Sequence, residues 1–228
     1  MTVDLEQLAR RAGRELESAP AQEIVRWAVQ TFGTRFAVAS SMQDAVLVHL
    51  VSQVTGGVDV LFLDTGYHFA ETLGTRDAVA ATYDVNLITL TPRQTVAEQD
   101  AWHGPKLHNR DPDRCCALRK VAPLDRALAR YDAWATGLRR AEAPGRAGTP
   151  VVSHDAQRGK VKIAPIATWS DTDVEDYIAE HAVLVNPLRG AGYPSIGCAP
   201  CTRAVAAGGD PRAGRWAGSA KTECGIHA

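Results

Sequence analysis

Five cysteines carry the chemical potential of this chain, and their spacing divides them four to one. Two are adjacent, Cys115-Cys116, and two form Cys198-Ala-Pro-Cys201. The fifth, Cys224, lies in a short polar tail, Lys221-Thr-Glu-Cys-Gly-Ile-His227. A C-x-x-C turn brings two thiolates to one metal centre, and a second pair from far along the chain must complete the set. Neighbouring cysteines on a helix diverge by about 100°. That divergence is awkward around one small ion and suits a cluster in which each iron takes its own thiolate. Zinc stays open as the alternative centre, and so does a group of buried cysteines with no metal. Cys224 is left over as a reactive sulfur. No apolar pattern in the tail gives it a packing role. Lys221 and His227 stand near it in sequence and favour the thiolate, while Glu223 opposes it.

A second set of residues suits an anionic ligand. Ser40-Ser-Met-Gln-Asp44 stands between a strand and a helix, where N–H groups, hydroxyls and a helix N-terminus can hold phosphate or sulfate. The blander role of Ser40 and Ser41 is capping. Asp64-Thr-Gly66 and Thr136-Gly137 are strand-end turns. Arg139, Arg140 and Arg146 lie on a loop after a strand, and Arg212 and Arg215 near the C-terminus. Lys120 follows the cysteine pair by about one helical turn, on the same face. A lone surface arginine is usually just solvated. Convergence on one crevice is the reason to favour function. His68, His103, His108, His154 and His181 show no ligand spacing. Trp27, Trp102, Trp134 and Trp169 are assigned to the core or its edge, and Trp216 to a cap over the crevice.

The elements that position these residues alternate. Helical spacing covers Val3 to Ser18 and Ala21 to Phe32. Strands are expected at Arg35–Ala39, Val58–Leu63, Val85–Leu90, Trp134–Thr136 and Lys162–Ile166. Helices are expected at Ala45–Val54, Phe69–Tyr83, from the cysteine pair toward Arg130, and from a Ser170-Asp-Thr-Asp173 cap to about Ala182. This pattern predicts an α/β fold with a doubly wound, mainly parallel sheet. Ligands of such sheets bind beyond the C-terminal strand ends. The loops Ser40–Asp44, Asp64–Gly66 and Gly137–Arg146 are thus expected to line one crevice, and Ala141–Pro150 to be a mobile loop. From Asn186 onward Gly and Pro become dense. The expectation is one domain over 1–228, with its core at 33–185 and an irregular covering segment at 186–228.

Composition excludes several classes. The 228 residues hold 25 basic and 26 acidic side chains, a balance that points to neither nucleic acid nor a membrane surface. No apolar run approaches the roughly 18 residues of a membrane span, and the first residues lack a signal-peptide pattern. The expected location is cytoplasmic, where thiols serve metals and catalysis rather than a disulfide framework. Nothing forbids a homo-oligomer.

Arg114-Cys-Cys-Ala-Leu-Arg-Lys120, Tyr193-Pro-Ser-Ile-Gly-Cys-Ala-Pro-Cys-Thr202 and Glu223-Cys-Gly-Ile-His227 resemble, in order, the signatures of assimilatory adenylyl-sulfate (APS) reductases of the iron–sulfur type. The likeness runs from Ser40 to the C-terminus. It implies an adenine nucleotide alpha-hydrolase-like fold and a [4Fe-4S] cluster on Cys115, Cys116, Cys198 and Cys201. It also implies Cys224 as nucleophile, and substrate contacts at Ser40, Ser41, Leu63, Lys120, Gly137, Arg146, Arg212 and Arg215. The implied activity is reduction of adenosine 5′-phosphosulfate to sulfite and AMP through an S-sulfocysteine. Thioredoxin or a similar dithiol is the implied reductant. The 3′-phosphorylated substrate (PAPS), or dual specificity, is the alternative. ATP-cleaving relatives carry Ser-Gly-Gly-x-Asp-Ser where this chain has Ser40-Ser-Met-Gln-Asp44, and the absent glycines argue against a triphosphate. A non-enzymatic iron–sulfur sensor would leave the tail and the arginines without a role.

Overall fold

Residues 4–227 are described by this computed structural model. Asp4 accepts from the N–H groups of Glu6 and Gln7 and starts α1 (Leu5–Glu15), satisfying donors that a helix start leaves free. Then follow α2 (Ala21–Phe32), β1 (Phe36–Ser40), α3 (Val46–Ser52), β2 (Val58–Leu63), α4 (Ala70–Thr82) and β3 (Val85–Leu90). Next come α5 (Val96–His103), α6 (Leu107–Arg110), α7 (Pro112–Cys116) and α8 (Ala122–Leu128). The remainder is β4 (Ala133–Thr136), β5 (Val152–Asp155), β6 (Lys160–Ile163), α9 (Asp171–His181) and a C-terminal stretch with only short turns.

The sheet runs β3-β2-β1-β4-β6-β5. Every pairing is parallel except β5 with β6. From β1 the chain steps outward through β2 and β3, then returns to lay β4 on the other side of β1. That reversal makes a switch point: the loops after β1 and β4 leave in opposite directions and open a crevice between them. The expected doubly wound α/β sheet is therefore present.

The two faces are covered unequally. One carries the larger core, with Ile24, Val25, Leu50, Val51, Val79 and Val174 from α2, α3, α4 and α9. The other carries a smaller cluster of Ala37, Leu61, Leu124, Leu128, Tyr131 and Trp134, with Ile226 of the tail packed against it. α1 reaches the sheet edge at Gly13, where a Cβ would stand 2.6 Å from the Val152 carbonyl oxygen, so no larger residue allows this approach.

Some expectations are corrected. The last parallel strand is Lys160–Ile163, not Lys162–Ile166, because its pairing with β4 runs only from Val161 to Ile163. β5 and α5 were not foreseen. β5 has four residues, three of them polar, and exists by pairing with β6. α5 is started by a Thr95–Glu98 capping box. The helix after the cysteine pair is interrupted by a π-helical turn at Ala117–Val121, a frequent device near functional sites. Trp102 is 78% exposed, not core. The Ala141–Pro150 stretch contains a short turn and is tied down, with the Arg140 Nε–H donating to the Thr149 carbonyl at 2.8 Å.

Candidate active site

Ser40, Ser41 and Leu63 at the ends of β1 and β2, and Gly137 after β4, border one crevice of about 500 Å³. Lys120, Arg146, Arg212, Arg215 and Cys224 open into the same space. The eight residues expected to contact an anionic nucleotide are thus brought together with the tail thiol. In the Ser40–Asp44 loop, Met42 is fully buried at φ 59°, the left-handed region that glycine prefers. The Ser40 hydroxyl accepts from the Met42 N–H at 3.3 Å. The loop therefore keeps a glycine-type turn in a chain that has no glycine there. Burial drives the Asp44 carboxyl upward, against Arg189.

A second, smaller cleft adjoins the first. Cys115, Cys116, Cys198 and Cys201 line it together with Tyr67 and Arg119. Lys120 and Trp216 border both spaces, so they form the partition between the thiol cleft and the crevice. Burial and the other thiols push Cys115 up to about 12 and Cys201 up to about 11. Burial opposes the Lys120 charge, but the sulfurs of Cys198 and Cys224 outweigh it and hold the ammonium above its ordinary value.

Arg119 was missed by the sequence reading. It is 3% exposed, stacks on Tyr67, and donates to the Thr65 carbonyl and to Gln99 Oε1. Its signal in the sequence was only adjacency to Lys120. Thr65 is also buried, with Oγ1 3.3 Å from Cys198 Sγ, and the Tyr67 carbonyl accepts from the Ala199 N–H at 2.7 Å. Most of the Asp64–Gly66 turn therefore serves the thiol cleft rather than the crevice, because it braces the C-x-x-C loop. His68, given no role by its spacing, lines the crevice and donates from Nε2 to the Leu63 carbonyl at 2.7 Å. Burial keeps it neutral by lowering its pKa.

The arginines are less free than their sequence suggests. Arg140 turns away to Glu17, and Arg139 pairs with Asp171 at 2.8 Å. Arg146 grips Glu223 with two bonds, Nε to Oε1 at 2.7 Å and Nη2 to Oε2 at 2.8 Å, and also meets Glu142. Arg212 reaches the same Glu223 at 3.3 Å and the Thr222 carbonyl at 2.7 Å.

The tail is accordingly seated, and two expectations about Cys224 change. Lys221 is turned to Asp113 and to the Trp216 ring. His227 stacks flat on Trp134, with ring centroids 5.9 Å apart and planes 7° apart. Burial and the neighbouring cations hold its imidazole well below the ordinary value, so it is neutral and lends Cys224 no charge. Lys120, Arg212 and Arg215 are among the cations bordering the crevice into which Cys224 opens.

Among the described residues no group of three or more His, Cys, Asp and Glu side chains is arranged to hold a metal ion, and no helix is long and apolar enough to cross a membrane. The four thiols nevertheless share one cleft. As a donor set of four sulfurs, three buried and Cys201 partly exposed, bordered by Arg119 and Lys120, they fit a multinuclear thiolate-held centre, which is anionic.

Comparison with known proteins is consistent with this architecture. The chain is 69% identical over 226 residues to an adenosine 5′-phosphosulfate reductase from Streptomyces coelicolor, covering 99% of this chain and 96% of that one. A crystal structure of phosphoadenylyl-sulfate (PAPS) reductase from Candida auris superposes with TM-score 0.76 at 30% identity, over 90% of this chain and 99% of the other. The Candida glabrata FMN adenylyltransferase shares the fold alone, with TM-score 0.57 at 11% identity over 88% of this chain and 74% of the other. Residues 34–204 match the phosphoadenosine phosphosulfate reductase domain model. With three quarters of its length matched, and a crevice, arginines and tail thiol in one place, the chain belongs to the phosphoadenosine phosphosulfate reductase domain family.

Proposed function

We propose that this protein is an adenylyl-sulfate reductase that releases AMP and sulfite in sulfate assimilation, with a dithiol of the thioredoxin type as reductant. The observation that carries this reading is that Cys224 opens into the crevice shared by the Ser40–Asp44 loop, Lys120, Arg146, Arg212 and Arg215. The identity to a named adenosine 5′-phosphosulfate reductase along the whole chain supports it.

Ser40, Ser41, Leu63 and Gly137 border the nucleotide, and the cations receive its phosphosulfate. The Cys224 thiolate attacks the sulfur of the adenylated sulfate. The bond from that sulfur to the AMP phosphate oxygen breaks, AMP leaves with the electron pair, and Cys224 carries an S-sulfo group. A reductant thiolate then attacks Cys224 Sγ, and the S–S bond breaks with its pair leaving as sulfite. The second thiol of the reductant resolves the mixed disulfide and restores Cys224, so the dithiol is oxidised to a disulfide. A phosphate leaving group needs little protonation, and alignment with charge neutralisation carries the catalysis.

Cys115, Cys116, Cys198 and Cys201 would hold a [4Fe-4S] cluster. When bound, such a centre would supply negative charge and polarisable sulfur near Lys120, and the exchange above requires no electrons through it. Lys120, in the partition between the cleft and the crevice, is the residue through which that charge meets the substrate.

The test is activity of anaerobically purified protein offered APS and PAPS side by side. APS is expected to be preferred in kcat/KM, with AMP and sulfite formed in equal amounts. Faster turnover of PAPS at subsaturating substrate would overturn the substrate assignment, and no sulfite from either would overturn the function.

A further inference from the structure

Beyond Gly225, Ile226 and His227 border the crevice and are held on the sheet by residues that take no part in lining it. Gly225 takes φ 76°, a turn that favours glycine, and sends Ile226 and His227 back over the smaller core face. Trp134 on β4 and Lys162 on β6 are register partners, so their side chains leave the same face of the sheet. Lys162 Nζ lies 5.5 Å from the Trp134 ring centroid and donates to the His227 carbonyl at 3.3 Å. Arg158, with a side chain 5% exposed, lies 5.7 Å from the same ring and donates to the Ile226 carbonyl at 3.2 Å. Arg158 is itself held by Asp125 at 2.6 Å and Asp155 at 3.0 Å, and Asp155 also accepts from Trp134 Nε1 at 3.2 Å. His227 lies flat on the indole, and among the described residues its Nδ1 has no partner.

We propose that Trp134, Arg158 and Lys162 form a socket for the end of the tail and are positioning residues for Cys224. This rests on the reading of Cys224 as the nucleophile. The geometry explains what the socket accomplishes. Three residues of chain span at most about 11 Å, so seating His227 confines Cys224 to a small volume. The Arg146–Glu223 pair fixes the residue on its other side. A thiol held between two anchors meets a bound electrophile at a far higher effective concentration than one on a free tail. The grip uses the flat face of the uncharged imidazole and main-chain carbonyls, so the ring's shape and neutrality matter and no hydrogen bond from the ring is called on.

The test compares His227→Phe, His227→Ala and Lys162→Met in the full chain with its metal centre. His227→Ala and Lys162→Met should raise hydrogen exchange of the terminal peptide, and alkylation of Cys224 by iodoacetamide, by about tenfold. His227→Phe, which keeps a flat ring, should stay near the wild type. With APS and no dithiol, formation of the S-sulfo adduct should slow by about tenfold or more in the first two variants. Wild-type exchange and alkylation in His227→Ala would overturn the socket. Slow adduct formation in His227→Phe, with its tail still protected, would show that the imidazole acts chemically and overturn the positioning role. If no protein form reacts with APS, exchange and alkylation still decide whether the socket exists, separately from the proposed reaction.

Discussion

Arg146 and Glu223 are joined by two parallel hydrogen bonds of 2.7 and 2.8 Å, side on. This is the geometry with which a guanidinium holds a carboxylate or a phosphate. Glu223, one residue before the tail thiol, thus sits on an arginine assigned to the substrate. Neutralising it should release that arginine. Glu223→Ala is expected to bind AMP roughly threefold to tenfold more tightly, because the fraction of free sites rises, and to lose tail protection in hydrogen exchange. Unchanged AMP affinity by calorimetry would show that the pair and the nucleotide do not compete.

Acid should loosen the tail. Burial, with Lys162 and Arg146 next in weight, lowers His227 well below its ordinary 6.5. Its contribution to docking is full above that value and is lost as pH falls toward the docked pKa. Burial alone would raise Glu223, but Arg146 outweighs it and lowers the carboxyl below its ordinary 4.5. Its contribution is likewise present above the ordinary value and lost as pH falls through the docked one. Both groups have the same sign. Exchange of the terminal peptide, corrected for intrinsic rates, is expected to increase from about pH 7 to about pH 5. Constant or greater protection over that window would contradict the sign.

Cys224→Ser should retain its iron and bind APS yet form no adduct. In the wild type, APS without dithiol should release one equivalent of AMP and add about 80 Da, the mass of one SO₃ group, to the terminal peptide, removable by thioredoxin. Mass spectrometry locates the adduct, and any site other than Cys224 would refute the mechanism.

Lys120→Ala should keep the fold and the metal content and lose at least about 2 kcal/mol of transition-state stabilisation, roughly 30-fold in kcat/KM. Near-normal turnover in a metal-replete variant would reduce Lys120 to a wall of the cleft.

Removal of one cleft thiol tests the metal centre directly. Protein purified without oxygen should be brown, with about four irons and four labile sulfides per chain, and Cys198→Ser should lose much of that iron. Stoichiometric zinc without sulfide in the wild type would exclude the cluster.

Legible from the residues alone are the alternation of strands and helices, β2 and β3 to the residue, and the grouping of cysteines into four and one. Those are local signals: apolar runs of strand length, capping residues, and rare thiols at short spacing. β5 and the end of β6 were decided by pairing between strands, which no run of four residues encodes. The tail was decided by tertiary structure above all. As a sequence it is polar and without period, so it reads as free, and Lys221 and His227 read as cations beside a thiol. Folding brings Arg146, Arg158 and Lys162 to it from loops and strands 65 to 77 residues away, and burial against Trp134 removes the charge from His227. Charge and solvation depend on neighbours in space, and those neighbours exist only once the sheet has formed.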